Sequence, residues 1–174
     1  MANTPAQAQQ FTGLILLTGT DKPGVASRLF ETLAPFAINI IDVEQIVNNN
    51  RLILTVLIGA NPAHQKAIEA DLNECALALE VDIATLFDTS TTVPSPSDLL
   101  SISIAASKLH PRGVSLLMRS IFACGGNIER MNRTSSEPVS IAIVVSGCDK
   151  KSLETALSLE DLAHEFTVTI EEVV

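Results

Sequence analysis

The chain has 174 residues, of which 47% are apolar and only 3% aromatic, and its formal charge is −9. A core of Leu, Ile, Val and Ala with so few rings argues against base-stacking surfaces, and the negative charge repels phosphate backbones and anionic membranes alike. No apolar run approaches the ~20 residues of a membrane span, and the start MANTPAQAQQ has neither a basic segment nor an apolar signal core, so a cytoplasmic protein without nucleic-acid or membrane partners is expected.

Residues 1–10 are small, polar and without periodicity, and read as a disordered tail. A strand over 12–18 leads into the turn Thr18-Gly19-Thr20-Asp21-Lys22-Pro23-Gly24-Val25. Beyond it Val25, Leu29, Phe30, Leu33 and Phe36 recur at helical spacing until Pro35 breaks the pattern, which stops the helix near Ala34. A strand over 38–47, the turn Asn48-Asn49-Asn50 and an almost wholly apolar strand over 51–58 form a hairpin. Asn61-Pro62 opens a second helix with Ile68, Leu72, Cys75, Ala76 and Leu79 on one face, and a strand over 81–87 closes the unit. The order strand, helix, strand, strand, helix, strand is the split arrangement of ferredoxin-like folds.

The stretch TSTTVPSPS over 89–97 has the composition of a linker. Past it the same order returns. A strand over 99–105 reaches the turn His110-Pro111-Arg112-Gly113, followed by a helix carrying Leu116, Leu117, Ile121 and Phe122 that ends at Gly125-Gly126. Strands over 127–133 and 139–146 form the second hairpin, Leu153, Ala156, Leu157 and Leu162 mark a helix, and 166–173 is the last strand. Gly24 to Gly113 spans 113 − 24 = 89 positions and Asn39 to Asn127 spans 127 − 39 = 88, which indicates duplication. The expected fold class is therefore α+β: two ferredoxin-like βαββαβ domains over 11–88 and 98–174, each an antiparallel four-stranded sheet with helices on one face.

The first turn is the strongest candidate site. Pro23 suits the first turn of a helix, Asp21 can cap it, and Gly24 lets a ligand approach the backbone, where free N–H groups and the helix dipole favour a carboxylate or phosphate. Plain helix-start chemistry explains the same residues without a ligand. Cys75, Cys124 and Cys148, odd in number and far apart, read as reduced, mostly buried thiols, and no His, Cys or carboxylate grouping has metal-ligand spacing. His64 and His164 fall on helical stretches and read as solvated. Arg119, Arg130 and Arg133 read as surface pairs or as a docking patch for an acidic domain. Asp88 in LFDTST stands after an apolar strand but lacks a second carboxylate two residues on, so no catalytic residue and no cofactor are assigned to this chain.

The motifs LTGTDKPGVASRLFETLA, INIIDVEQIV and RLILTVLI resemble ACT domains, and the tandem with its DVEQIV hairpin is similar to the regulatory region of actinobacterial-type phosphoserine phosphatases. That resemblance implies an amino-acid ligand, L-serine first among them, lying between the turn of one module and the second strand of a neighbour. Its contacts would be Thr20, Asp21, Gly24 and Val25 with Asn39: carboxylate on the Gly24 and Val25 N–H groups, ammonium on Asp21, side chain read by Asn39. At the 89-residue offset His110 replaces Asp21, so a second site at His110, Gly113, Val114 and Asn127 is weaker, differently selective or structural. The resemblance further implies a homodimer and a partner phosphatase domain of the haloacid-dehalogenase type, with Mg2+, downstream of this chain. The alternative is a free-standing tandem regulator of the glycine-cleavage repressor type that acts by protein contact.

Overall fold

The structure, a computed structural model, describes residues 9–91, 98–159 and 166–173. The chain divides into two units, Met1–Val93 and Pro94–Val174. Both are α+β.

In the first unit, β1 (Gln9–Thr20), α1 (Val25–Leu33), β2 (Asn39–Asn48), β3 (Arg51–Gly59), α2 (Gln65–Leu79) and β4 (Asp82–Thr91) give an antiparallel sheet of order β2-β3-β1-β4. Val25, Leu29 and Leu33 recur every four residues, so all three fall on one stripe of α1 and are buried. Ile15 and Leu17 of β1 and Leu54, Val56 and Ile58 of β3 come up from the sheet to meet that stripe, and Ile68 and Leu72 of α2 complete the core. Asn49 and Asn50 both adopt positive φ, 47° and 61°, which makes the β2–β3 connection a two-residue hairpin turn of the kind that matches strand twist.

In the second unit, β5 (Leu99–Ala106), α3 (Pro111–Ala123), β6 (Asn127–Ser136), β7 (Val139–Ser146), α4 (Lys150–Leu159) and β8 (Thr167–Glu172) repeat the arrangement with order β6-β7-β5-β8. Leu100, Ile102, Ile104, Leu117, Ile121 and Leu153 lie at its centre. Gly125 ends α3 at φ 81°, and the N–H groups of Gly125 and Gly126 return to Phe122 O and Ile121 O at 3.0 and 2.9 Å. Asp149 caps α4, accepting from the Ser152 N–H at 3.0 Å and from its hydroxyl at 2.6 Å.

Those bonds, the Ser152 hydroxyl first, hold the Asp149 carboxyl below its ordinary value. A depressed carboxylate contributes stability that is complete above its unfolded pKa and is lost as the pH falls through the folded one. Asp149→Ala is therefore expected to be less stable than the parent at neutral pH, and the gap should close as the pH is lowered through the acid range. Urea unfolding at a series of pH values checks this.

Several elements differ from the sequence reading. β1 begins at Gln9 and β4 runs on to Thr91, because Gln9 pairs with Thr91 and Gln10 with Ser90, so strand structure extends into both the stretch read as tail and the stretch read as linker. Residues 92–97 of that linker, and Leu162 and His164, lie outside the described residues. Phe122, one of the apolar residues that marked α3, is 80% exposed. His64 is not on a solvated helical face: it ends the 3-10 turn Pro62–His64, half-buried beside the Phe36 ring at 6.3 Å, with Nδ1 buried and without a described partner.

The two sheets differ on the faces turned away from their helices. Each second strand bulges near its start, between Ile40 and Asp42 in β2 and between Ile128 and Arg130 in β6, which aligns the repeats. The cross-strand row Leu57, Leu14, Leu86 of the first sheet then corresponds to Val144, Ser101, Glu171 of the second. Leu14, Leu16 and Leu86 are exposed, as is all of β2.

Candidate functional site at the β1–α1 turn

The turn is held from two sides. The Asp21 N–H donates to Asn50 O at 3.0 Å, tying it to the left-handed hairpin turn, and Lys22 Nζ lies 3.2 Å from Glu80 Oε2 at the end of α2. Gly24 is the N-cap of α1 at φ 89°, a conformation L side chains rarely adopt, and an added Cβ there would meet nothing within 4 Å. The backbone is thus bent by its glycine and open to solvent at the same point. Of the two N–H groups expected to take a carboxylate, that of Val25 already donates to Lys22 O within the turn, over a long 3.4 Å.

A cleft of about 320 Å³ opens beside this turn, lined by Asp21, Lys22, Gly24, Ser27, Gln45 and Leu52 among others. Its chemistry is mixed: the positive end of a helix, one exposed carboxylate, one ammonium paired with Glu80, one hydroxyl, one amide and an apolar floor. A small zwitterion matches that set. Ser27 and Gln45 were not foreseen from the sequence. Gln45 pairs with Leu54, whose side chain is core, so it projects toward the helices with Val43 and Val47; a polar residue at that inward position was the signal.

Not all the expected residues meet. Thr20, Asp21, Gly24 and Val25 lie between the end of β1 and the start of α1, but within the same unit Asn39 opens β2, and β2 lies so that its last residue, Asn48, is the one level with Thr20 through Arg51. Ten residues of strand at ~3.3 Å each separate the two ends by about 30 Å. Within one unit Asn39 instead crowds Gly59 alongside Gln10. Two roles also change. Asp21 is not the cap, since Gly24 occupies that position and no side chain caps α1, and Pro23 precedes the helix rather than lying in its first turn.

The second turn is built differently. Counted from the last strand residue to the helix N-cap, the loops are Asp21-Lys22-Pro23 and Ser107-Lys108-Leu109, so Ser107 stands where Asp21 does and His110, at φ −105°, stands where Gly24 does. Gly113 is buried within α3, and the Val114 N–H is taken up by His110 O at 3.2 Å. Asn127, level with Asn39, donates to Glu129 at 2.9 Å, and Ser146 donates to the same carboxylate oxygen at 2.5 Å. The Ser146 bond, then the Asn127 bond, hold the Glu129 carboxyl below its usual value. The four residues His110, Gly113, Val114 and Asn127 therefore do not reproduce the first site: the glycine, the acid and the available amide are all missing. Elsewhere, Asp88 accepts from the Thr89 N–H at 2.7 Å, Arg133 donates to Ser135 O at 3.0 Å, and no three His, Cys, Asp or Glu side chains among the described residues are grouped to hold a metal ion. No helix among those residues is long and apolar enough to cross a membrane.

Residues 12–85 match the family model of the ACT domain. The chain thus carries an ACT domain in its first unit, and the second unit repeats its ferredoxin-like topology. It is similar to a phosphoserine phosphatase of Streptomyces coelicolor, 27% identical over 157 residues that cover 87% of this chain and 38% of that one. A phosphoserine phosphatase of Mycobacterium tuberculosis is 30% identical over 128 residues, 72% of this chain and 31% of that one. The chain spans about a third of the length of these curated relatives. Among solved structures, one named as a glycine cleavage system transcriptional repressor superposes with a TM-score of 0.74 at 15% identity, covering 95% of this chain and 98% of that one. An uncharacterised protein of Galdieria sulphuraria does so with 0.73 at 16%, covering 96% and 100%. At such identities the likeness is one of fold.

Proposed function

We propose that this chain is the effector-binding regulatory region of a phosphoserine phosphatase, that its effector is L-serine, and that the β1–α1 cleft of the first unit receives it. The observation that carries the reading is the left-handed, unobstructed Gly24 beside an exposed Asp21. The effector carboxylate lies on the helix start at Gly24, its ammonium on Asp21, and its hydroxyl within reach of Ser27 and Gln45. Asn39 joins from a neighbouring module, which makes the site depend on assembly. The exposed edge of β2 supports pairing of copies as a homodimer, since an unpaired strand is a template for sheet extension. Control then follows if one arrangement of modules binds the effector more tightly than the other.

Calorimetric titration of L-serine tests this. Asp21→Asn is expected to weaken binding roughly tenfold to hundredfold, the equivalent of a charge-assisted hydrogen bond of ~1.5–3 kcal/mol, and heat unchanged by the substitution would remove Asp21 from the site.

A second reading is a free-standing tandem regulator acting by protein contact, favoured by the whole-length superposition on the glycine cleavage system repressor. A reading frame that continues past Val174 into an apolar strand ending in Asp-x-Asp-x-Thr supports the first reading, and a stop codon there supports the second.

A further inference from the structure

A cleft of about 700 Å³ in the second unit is lined by two of the three cysteines, Cys124 and Cys148, together with Asp98, Asp149, Lys150 and Glu172. Cys124 closes α3 and Cys148 precedes α4, on loops that meet through their glycines. Gly125 and Gly147 are both left-handed, at φ 81° and 79°, and a Cβ on Gly147 would lie 3.0 Å from Gly125 O. Each cysteine is the immediate neighbour of one of these touching glycines, and both thiols are partly exposed. Cys75 is buried in the other unit.

We propose that Cys124 and Cys148 are a dithiol that a small, cationic disulfide entering this cleft converts to an intramolecular disulfide. The Cys124 thiolate attacks one sulfur of the small disulfide, whose S–S bond breaks, leaving a mixed disulfide and one released thiol. Cys148 then gives up its proton, its sulfur attacks the Cys124 sulfur, and a second small thiol leaves. Two protein thiols are oxidised, one disulfide is reduced to two thiols, and the two protons end on those thiols. The order follows from the surroundings: burial, then the adjacent Cys124, push the Cys148 thiol to about 12, so it remains protonated at neutral pH and Cys124 reacts first. Preference for a cationic reagent follows from the lining, in which three carboxylates face one lysine.

The chain is exposed at neutral pH to cystamine, and separately to oxidised glutathione, then alkylated and analysed by intact mass and peptide mapping. Cystamine is expected to give a Cys124–Cys148 crosslink with Cys75 alkylated, reversed by dithiothreitol, at a rate several-fold above that with the anionic glutathione disulfide. Cys148→Ser is expected to stop at a mixed disulfide on Cys124, and Cys124→Ser to leave Cys148 unmodified. A parent chain that stops at the mixed disulfide, a crosslink to Cys75, or faster reaction at Cys148 in the Cys124→Ser protein would overturn the proposal. Equal rates with the two reagents would overturn the charge preference. Labelling in urea shows that every thiol can react once unfolded, so resistance in the native chain reads as structure.

Discussion

Gly24→Val is expected to lower the affinity for L-serine by about tenfold or more and to weaken the fold as well. At φ 89° a residue with a Cβ costs roughly 1–2 kcal/mol, and branching at Cβ makes valine among the worst choices. Loss of binding in that variant would therefore have two explanations. Gly24→Asn separates them, because asparagine tolerates the left-handed conformation yet still places a Cβ in the open space above the turn. If the effector carboxylate approaches the backbone there, both variants lose binding and only valine loses stability. Calorimetry with circular dichroism measures the two quantities. Full affinity in a folded Gly24→Asn chain would place the effector elsewhere. Gly113, buried in α3, is no counterpart; a change there probes packing.

Leu29→Ala should be the most destabilising simple truncation near the site. Leu29 is fully buried on the stripe of α1 that follows Gly24 and meets Ile15, Leu17 and Leu54 from the sheet. Deleting a leucine from such a core costs about 2.7–5 kcal/mol. Phe122→Ala, with the larger side chain but 80% exposed, should fall within about 0.5 kcal/mol of the parent. Urea unfolding of both variants makes the comparison, and a larger loss at Phe122 would show that its ring is covered in solution.

Much of this architecture was legible because it is written in periodicity. The stripe Val25, Leu29, Leu33 and the nearly unbroken apolar run over 51–58 identify a helix and a central strand without any long-range information. Strand ends were not legible: Gln9, Gln10, Ser90 and Thr91 are polar and carry no pattern, and they are strand only because each finds a partner about eighty residues away. The second site was misaligned for a related reason. Matching Gly24 to Gly113 follows identity, but the better marker of a helix start was Pro111, which sits in the first turn of α3 and places His110 opposite Gly24. The resemblance links Asn39 to the turn of a neighbouring module; within one unit, strand direction puts the two at opposite ends of the sheet. Gln45 was passed over because the stretch around it read as a hairpin, and only register shows which way it points.

Duplication has also left the chain with a ready-made engineering guide. Two backbones of one topology carry different outer surfaces, leucine at positions 14, 16 and 86 in one and serine, serine and glutamate at the aligned positions 101, 103 and 171 in the other. The polar set is therefore known to suit a pleated surface of this twist and register. Grafting it onto the first sheet alters hydration while the buried side chains beneath stay as they are, so whatever such a graft does to solubility or association belongs to the surface and can be read apart from folding.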